Sequence, residues 1–289
     1  MLKTNRNQLP RIAVEGQTQH PGMRLPGYYV GFDGKGRILP GTGGITYNYF
    51  IGDCCMGIMG DHIEPGCSTY NPNEKFNGAY NTLSCVGNIA KVISGDAKGD
   101  IGFVTGTHGG VDHVMIAFSA ATLEKLTMDD RFQIQACGQG LQLVNHPDVH
   151  VMNTDPYLID NMNLMVNDEG QVEVKVAKII PAHLMGSGLG SQAMTCGDYD
   201  IMLHDQTEVE RLGLQDLRFG DIVAITDHFS LNGPDYLTGA ITIGTIVHSD
   251  SYSSGHGPGV CVMLTAKDHK IKPIIDKNAN LINYLDFIK

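Results

Sequence analysis

Glycine is the feature of this sequence that most limits what the chain can fold into. The 289 residues include 36 glycines, and these are spread along the chain rather than gathered in one segment. Glycine readily adopts the backbone conformations that tight turns require. Its even spread therefore predicts many short elements joined by turns.

Alternating and apolar segments predict that most of these short elements are strands. The clearest is 171–177, QVEVKVA, which alternates strictly and is typical of a half-exposed strand. Apolar residues at helical spacing predict a helix over 77–93, and a shorter helix is expected over 121–126. We therefore expect an α+β fold, with β-rich mixed sheets or a barrel-like core and a few helices. The other expected strands are 11–14, 28–30, 54–59, 101–104, 114–118, 132–136, 141–144, 149–152, 222–226, 240–247 and 260–265.

The length of the chain allows one large domain or two modest ones. The stretch from Asn145 to Pro156 contains two prolines and is the best candidate for a boundary. Two subdomains are therefore expected, an N-terminal one over 1–150 and a C-terminal one over 151–289.

Charge and hydropathy exclude several classes of partner. The formal net charge is −11, which repels polyanions, so we expect no nucleic acid and no acidic membrane surface as a partner. No apolar run approaches the roughly eighteen residues of a membrane span, and the first ten residues lack the apolar core of a signal peptide. We expect the protein to be cytoplasmic, to form a homo-oligomer and to take a small molecule as its substrate. The seven cysteines include no C-x-x-C pair, which favours buried thiols over a zinc or redox site.

A loose theme recurs four times, in which a Gly-Asp pair precedes a short, mostly apolar segment that ends near a histidine. Gly-Asp suits a turn that enters a strand. If the four strands ran side by side in one direction, their histidines would collect at one rim of a sheet. The alternative is four unrelated turns, because composition alone gives about three such pairs. The histidines concerned are His62, His108, His204 and His228.

Histidine and acidic residues in glycine-bent loops suit a divalent metal ion. If residues 61–64 are extended, His62 and Glu64 share one face, and a histidine and a carboxylate so placed can ligate one ion. In 197–200, GDYD, two carboxylates likewise share a face if the segment is extended. The ion would be Zn²⁺, Mn²⁺ or Mg²⁺. The candidate ligands are Asp61, His62, Glu64, His108, His113 and Asp198.

Other residues of these loops are candidates for substrate binding and acid–base chemistry. The loop 105–110, TGTHGG, can present consecutive N–H groups to an anion. A polar loop over 248–259 contains His248, Asp250 and His256 and follows an apolar strand, which is typical of a functional site. His228 or His256 would serve as general acid or base, because histidine titrates near neutral pH. The candidate substrate-binding residues are Thr107, Gly109, Gly110 and Asp227.

Seven stretches together resemble a known bacterial family. The resemblance extends over nearly the whole chain, and the family is known only as domain of unknown function 4438. It implies an N-terminal and a C-terminal portion, and it implies no activity. The stretches are 40–48 PGTGGITYN, 60–66 GDHIEPG, 84–88 SCVGN, 107–110 THGG, 197–201 GDYDI, 217–221 LRFGD and 255–259 GHGPG.

Three functions remain open on this basis. The first is a metal-assisted hydrolase or lyase that acts on a small polar or anionic metabolite, for which the C–N bond of an amide or cyclic amide is one candidate. Its metal ion would lower the pKa of a bound water and so create a nucleophile. The second is a metal-free protein that binds or senses a small anion with the same loops. The third is a structural subunit of a larger assembly.

Overall fold

The computed structural model describes residues 2–23 and 27–285. Within this part of the chain the fold is α+β and β-rich, with eighteen mostly short strands and five short helices, which confirms the predicted fold class. The strands are β1 Ile12–Thr18, β2 Tyr29–Val30, β3 Gly36–Arg37, β4 Ile45–Thr46, β5 Gly66–Tyr70, β6 Ile89–Val92, β7 Ile101–His108, β8 His113–Ala117, β9 Arg131–Ala136, β10 Val149–Val151, β11 Met165–Val166, β12 Val172–Val176, β13 Lys178–Ile180, β14 Tyr199–Asp200, β15 Ile222–Phe229, β16 Asp235–Ile246, β17 Gly259–Ala266 and β18 Ile271–Ile275. The helices are α1 Glu74–Leu83, α2 Ala120–Leu123, α3 Pro156–Asn161, α4 Gln206–Leu212 and α5 Leu281–Tyr284, with single 3₁₀ turns at Arg6–Gln8 and Ala182–Leu184.

Six strands of the N-terminal part close into an antiparallel barrel. The order β1-β9-β6-β7-β8-β5 returns to its start because β1 pairs with both β9 and β5, while β4 is added beside β5. Inward-facing side chains such as Val104, Ile116 and Phe132 fill the barrel. Closure leaves few free strand edges and gives the loops at the barrel ends a rigid support.

The C-terminal part is built on a second sheet, with the order β10-β17-β16-β15-β13 and β14 paired to β17. Strands β15, β16 and β17 are antiparallel neighbours, and every residue of β17 is buried. Strands that are buried on both faces need apolar residues at successive positions, which explains runs such as VCVML in β17. A small sheet of β11, β12 and β18 and a hairpin of β2 and β3 complete the described strands.

The barrel packs against the second sheet through β7 and β8. Met115 and Ala117 alternate with the barrel-filling residues of β8 and belong to the core that includes β16 and β17. At Gly106 of β7, an added Cβ would lie 2.3 Å from Cγ1 of Val247. Only glycine allows this close approach of backbone and side chain, and the approach brings the end of β7 next to the end of β16.

The predicted helix over 77–93 is wrong in its second half. Helix α1 begins after Asn73, whose side chain accepts a hydrogen bond from the backbone N–H of Lys75, and it ends at Leu83. The chain then forms β6, which lies between β7 and β9. The buried side chain of Asn88 fixes this change because it bonds to the backbone of Cys85 and Cys137. Barrel closure has overridden the local helical pattern.

Most of the other expected strands occur, with shifted ends. The alternation over 171–177 is confirmed as β12, in which Val172, Val174 and Val176 are buried. The segments 54–59 and 141–144 form turns and isolated bridges instead. Along the chain, the last strand of the barrel ends at Ala136 and the first strand of the second sheet begins at Val149. The expected division into subdomains at residue 150 stays a prediction. Among the described residues, no helix is both long and apolar enough to cross a membrane.

Candidate functional site

The loop that carries His62 is fastened to the loop that follows β16. The backbone N–H of Ile63 donates to Oγ of Ser249 at 2.8 Å, and the N–H of Ser249 donates back to the carbonyl of Ile63 at 2.9 Å. His62 itself has φ 57°, a left-handed conformation that is uncommon for residues other than glycine. Such conformations cluster at functional sites. The result is that Nε2 of His62 faces side chains from the C-terminal half.

His108 and His113 face each other across the hairpin of β7 and β8 and share one buried carboxylate. Nδ1 of His108 donates to Glu64 at 2.5 Å, and Nδ1 of His113 donates to Glu64 at 3.0 Å. Because Nδ1 of His108 is the donor, its Nε2 is left as the acceptor in the neutral ring. Glu64 thus orients two imidazoles at once.

Two carboxylates project together from β14 and the residue just before it. Asp198 and Asp200 lie two residues apart, so they share one face of the extended segment, while the buried ring of Tyr199 points the other way. Asp200 is opposite Gly259 of β17. Oδ1 of Asp198 accepts a hydrogen bond from the N–H of Gly109 at 2.8 Å, which fixes that carboxylate against the β7–β8 hairpin.

His248 and Asp198 form a buried contact in which two polar atoms lack hydrogen bonds. Nδ1 of His248 donates to the carbonyl of Ser249 at 2.9 Å, so Nε2 is its remaining site. Nε2 lies 2.7 Å from Oδ2 of Asp198, yet neither atom makes a hydrogen bond. Both side chains are almost wholly buried. Burying such atoms without hydrogen bonds is costly, and a cation bound beside the pair would remove that cost.

His256 is the last histidine of this group and contacts Asp200. Its Nδ1 lies 2.9 Å from Oδ2 of Asp200 and 3.1 Å from Nε2 of His62. Nε2 of His62 is itself 3.4 Å from the same oxygen of Asp200, and Nδ1 of His62 lies 3.2 Å from Asp61. Three potential ligand atoms therefore converge at one point.

These residues form two adjoining clusters, in each of which the ligand atoms lie within 4.8 Å of one another. The rings of His108 and His248 are 4.2 Å apart between centroids, and the ring of His62 is 4.8 Å from that of His248. We call one of them the inner cluster and the other the outer cluster. The inner cluster is His108, Asp198 and His248; the outer cluster is His62, Asp200 and His256.

Charge–charge contacts dominate the electrostatics of both clusters. Burial alone would raise the pKa of Glu64, but its hydrogen bonds with His108 and His113 hold the pKa well below its usual value. Burial would also raise the pKa of Asp200, and its contacts with three histidines of the clusters lower that pKa instead. Burial would lower the pKa of His248, yet the charges of Asp198 and Asp200 raise it well above its usual value.

The pKa of His62 is also raised: burial would lower it, but the carboxylates of Asp200 and Asp61 outweigh that effect. A metal ion that binds either cluster must therefore displace protons.

A cleft of about 560 Å³ opens onto both clusters, within the size range of small-molecule sites. His62, His108 and His256 lie in its wall. Most residues of the segment from Ser187 to Cys196 also line it. Another cavity, of about 130 Å³ around Phe50 and Phe103, is lined by apolar residues and has no titratable side chain, so it offers no comparable chemistry.

Three of the six expected metal ligands lie in the clusters, and three lie one layer further out. His62, His108 and Asp198 contribute atoms to the clusters. Asp61 contacts Nδ1 of His62 and accepts a hydrogen bond from Ser251. Glu64 and His113 contact each other behind His108. These three residues position ligands rather than face the cleft.

The expected anion-binding N–H groups are already partly engaged. The N–H of Gly109 holds Asp198, and Oγ1 of Thr107 accepts from the N–H of Gly197 at 2.8 Å. Thr107 and Gly109 thus brace the β14 segment, while Gly110 lines the cleft. Gly109 lines the cleft as well, and the substrate-binding role of this loop stays a prediction.

The structure does not bring His228 and Asp227 into the cleft. His228 packs on the ring of Tyr199 at 5.9 Å, on the face of β14 opposite to the carboxylates, and burial lowers its pKa. Asp227, at a bulge in β15, accepts a hydrogen bond from the N–H of Gly239. His204 also lies apart, stacked on Phe32. Of the four histidines of the Gly-Asp theme, only His62 and His108 meet, with ring centroids 5.7 Å apart.

His256 was expected as a general acid or base and not as a ligand, and two further cluster residues, Asp200 and His248, were absent from every expected set of site residues. Each had a signal in the sequence. Asp200 stands two residues after Asp198, and His248 follows directly after an apolar strand. What the sequence does not show is that β14 pairs with β17, and it is this pairing that brings Asp200 beside His248.

Comparison with known proteins places the chain in a family. A family model described as domain of unknown function DUF4438, N-terminal, matches residues 28–160, and its C-terminal counterpart matches residues 161–285. The crystal structure of a protein named TM1086 is similar with a TM-score of 0.93 and 46% sequence identity, covering 98% of this chain and 99% of that chain. No curated protein matches the chain. The chain therefore belongs to the DUF4438 family, with both its N-terminal and its C-terminal domains.

Proposed function

We propose that the protein is a metal-dependent hydrolase that acts on a small polar substrate bound in the cleft. The observation that carries this proposal is the buried pair of Nε2 of His248 and Oδ2 of Asp198, 2.7 Å apart and without hydrogen bonds. Two imidazoles and a carboxylate are an established ligand set for a catalytic divalent ion, which keeps one position open for water. Here the inner cluster would hold that ion.

The surroundings of the inner cluster suit a ligand role. Nδ1 of His108 and Nδ1 of His248 are both held by acceptors, namely Glu64 and the carbonyl of Ser249. Such contacts fix the ring orientation and direct the lone pair of Nε2 toward the ion, as in known metal sites. They occur for both histidines of the inner cluster.

A bound divalent ion supplies a nucleophile at neutral pH, because it lowers the pKa of its water from 15.7 to about 7. The chain's own residues then position the substrate. His62, His108, Asp198, Asp200 and His256 all line the cleft, so a substrate bound there would have its reacting bond beside both clusters.

A metal-free anion-binding protein is less well supported. Among the described residues that line the cleft there is no lysine or arginine, whereas Asp112, Asp198 and Asp200 all contribute. Without a bound cation, only protonated histidines would offset the repulsion between these carboxylates and an anion. An anionic substrate group is therefore expected to bind through the metal. Hydrolysis of a C–N bond, cytoplasmic location and homo-oligomeric assembly stay predictions.

The test combines elemental analysis with activity. Purified protein should contain a divalent ion, and the metal-loaded form should hydrolyse at least one member of a panel of amides, cyclic amides, esters and phosphate esters. His248→Ala should abolish the activity and lower the metal content, whereas His183→Ala, an exposed histidine outside the cleft, should change neither. Activity that survives complete metal removal would rule the proposal out.

A further inference from the structure

We propose that the outer cluster binds a second divalent ion, which makes the centre a two-metal site with Asp200 as the bridging carboxylate. This inference rests on the proposed function for the first ion, which occupies the inner cluster. The second site has its own geometric evidence, and so it can fail independently.

The ligand atoms of the outer cluster have the spacing of a metal site. Nδ1 of His256 and Nε2 of His62 are 3.1 Å apart, and they lie 2.9 and 3.4 Å from Oδ2 of Asp200. Ligand atoms at 2.0–2.1 Å from a tetrahedral ion are separated by about 3.3 Å. An ion at normal bond lengths from all three atoms therefore fits just out of their plane.

The supports of His62 repeat the pattern of the inner cluster. Its Nδ1 is held by Asp61, which is itself held by the hydroxyl of Ser251. A carboxylate behind a ligating histidine is the usual partner in metal sites. The left-handed backbone conformation of His62 costs free energy. The two hydrogen bonds between the adjacent residue Ile63 and Ser249 offset this cost.

Asp200 connects the two clusters through its two oxygens. Oδ2 faces the outer histidines, and Oδ1 lies 3.6 Å from Nε2 of His248 in the inner cluster. A carboxylate that offers one oxygen to each side can bridge two ions about 3.5–4 Å apart. The ring centroids of His62 and His248 are 4.8 Å apart, which is consistent with two ions at that distance from each other.

Two ions in the floor of the cleft define the substrate class more closely. A two-metal centre clamps the attacking and leaving oxygens of a hydrolytic displacement, or polarises a carbonyl or phosphoryl oxygen while the other ion carries the nucleophile. The substrate is then a small molecule with a carbonyl or phosphoryl group whose oxygen reaches both ions. Because the histidine lone pairs would be occupied by metal, His256 would act as a ligand and not as a general base.

The experiment measures metal stoichiometry. Protein stripped with a chelator is reloaded with Zn²⁺, freed of excess ion and analysed for zinc per chain. We expect two ions in the native sequence, one in His256→Ala, one in Asp198→Asn, and two in the control His183→Ala. A second measurement needs no variant: reloading with Mn²⁺ should give the electron paramagnetic resonance spectrum of an exchange-coupled pair.

The outcomes separate this inference from the proposed function. A native stoichiometry of one, with an uncoupled Mn²⁺ spectrum, overturns the second site and leaves the hydrolase proposal standing. Two ions in His256→Ala also overturn it, because the outer cluster would then not be the ligand set. No tight metal at all would overturn both.

Discussion

Glu64 lies outside both clusters, yet it holds His108 of the inner cluster in place. It accepts hydrogen bonds from His108, His113, the hydroxyl of Ser68 and the N–H of Gly43. Glutamine keeps one accepting oxygen and replaces the other by an NH₂ group that only donates, so the four donors around this side chain can no longer all be satisfied. We expect Glu64→Gln to weaken metal binding by about 10–100-fold, as loss of such supports does elsewhere.

The measurement for Glu64→Gln is competition for Zn²⁺ against a chromophoric chelator. Glu208→Gln is a matched control, because Glu208 also pairs with a histidine, His183, but on the exposed surface. The control should bind as the native protein does. Equal affinities for Glu64→Gln and the control would contradict the role given to Glu64.

Cysteine reactivity gives a prediction at the same scale that does not involve metal. Five cysteines are buried, and Cys54 and Cys196 are exposed. Burial raises the pKa of Cys67 to about 12 and that of Cys261 to about 11, so few of these thiols are present as the reactive thiolate. A thiol-specific disulfide reagent should therefore find two fast thiols in the native protein and seven after unfolding. Cys54→Ser should leave one fast thiol; more than two in the native protein would contradict the burial.

The raised pKa of His248 predicts a pH dependence of the metal-free protein. Below the ordinary value of 6.5, both folded and unfolded chains carry the proton. Above it, the unfolded chain loses the proton first, so the folded state binds more protons and its free energy of unfolding falls as pH rises. His62, whose pKa is also raised, acts in the same direction.

Added Zn²⁺ should reverse this trend, because metal competes with protons for the same nitrogens and binds better as pH rises. The check is urea unfolding of chelator-treated and zinc-saturated protein between roughly pH 6 and pH 8. His248→Ala should flatten the metal-free slope. A slope that is the same in native protein and His248→Ala would show that His248 is not its source.

At the scale of elements, the sequence predicts strands with clear alternation or long apolar runs and fails where tertiary contacts decide. β12 is found because its period-two pattern is local. The segment 89–92 has helical spacing but becomes β6, since a barrel needs a strand between β7 and β9. Residues 54–59 look like a strand but form turns, tied by a bridge from Cys54 to Arg218 far along the chain.

The same limit applies to the site. His62, His108 and Asp198 could be proposed because histidine and aspartate in glycine-bent loops are a local signal. The division of these residues into two clusters could not be proposed from the sequence, because it depends on which strand ends are neighbours in the fold. The histidines do not meet at the ends of parallel strands on one rim, as the Gly-Asp theme suggested. His62 lies in a loop, and β7 pairs antiparallel with its neighbours.

Gly259, the first residue of β17, tests how closely that strand must approach the inner cluster. A Cβ at this position would lie 1.8 Å from Oδ2 of Asp198 and 2.2 Å from Nε2 of His248. Gly259→Ala should therefore displace at least one of the two ligand atoms and reduce metal affinity by more than tenfold. Affinity is measured by calorimetric titration with Zn²⁺.

Gly244→Ala separates this effect from general loss of stability. Gly244 lies on the neighbouring strand β16, and a Cβ there would meet Val260 at 2.4 Å. It should lower the free energy of unfolding through overpacking, typically by about 1–3 kcal/mol, but keep metal affinity. If both variants lost metal equally, overall destabilisation and not local geometry would explain Gly259→Ala.

At the scale of the whole molecule, the two clusters draw ligands from both halves of the chain. His62 and His108 come from the barrel half, and the other four cluster residues come from the half that contains the second sheet. Each cluster thus combines one histidine of the first half with two residues of the second. A metal ion in either position would join the two sheets.

Metal binding should therefore stabilise both sheets together. An ion that binds only the folded chain adds about 2.7 kcal/mol to the free energy of unfolding at a free concentration one hundred times its Kd. Because its ligands span both sheets, opening either one releases the ion and forfeits this energy. Hydrogen exchange should then slow on Zn²⁺ addition in β7 and β8 of the barrel as well as in β16 and β17. In His248→Ala, the same addition should slow neither pair of strands as strongly. Protection confined to one sheet would show that the ion is held by that half alone.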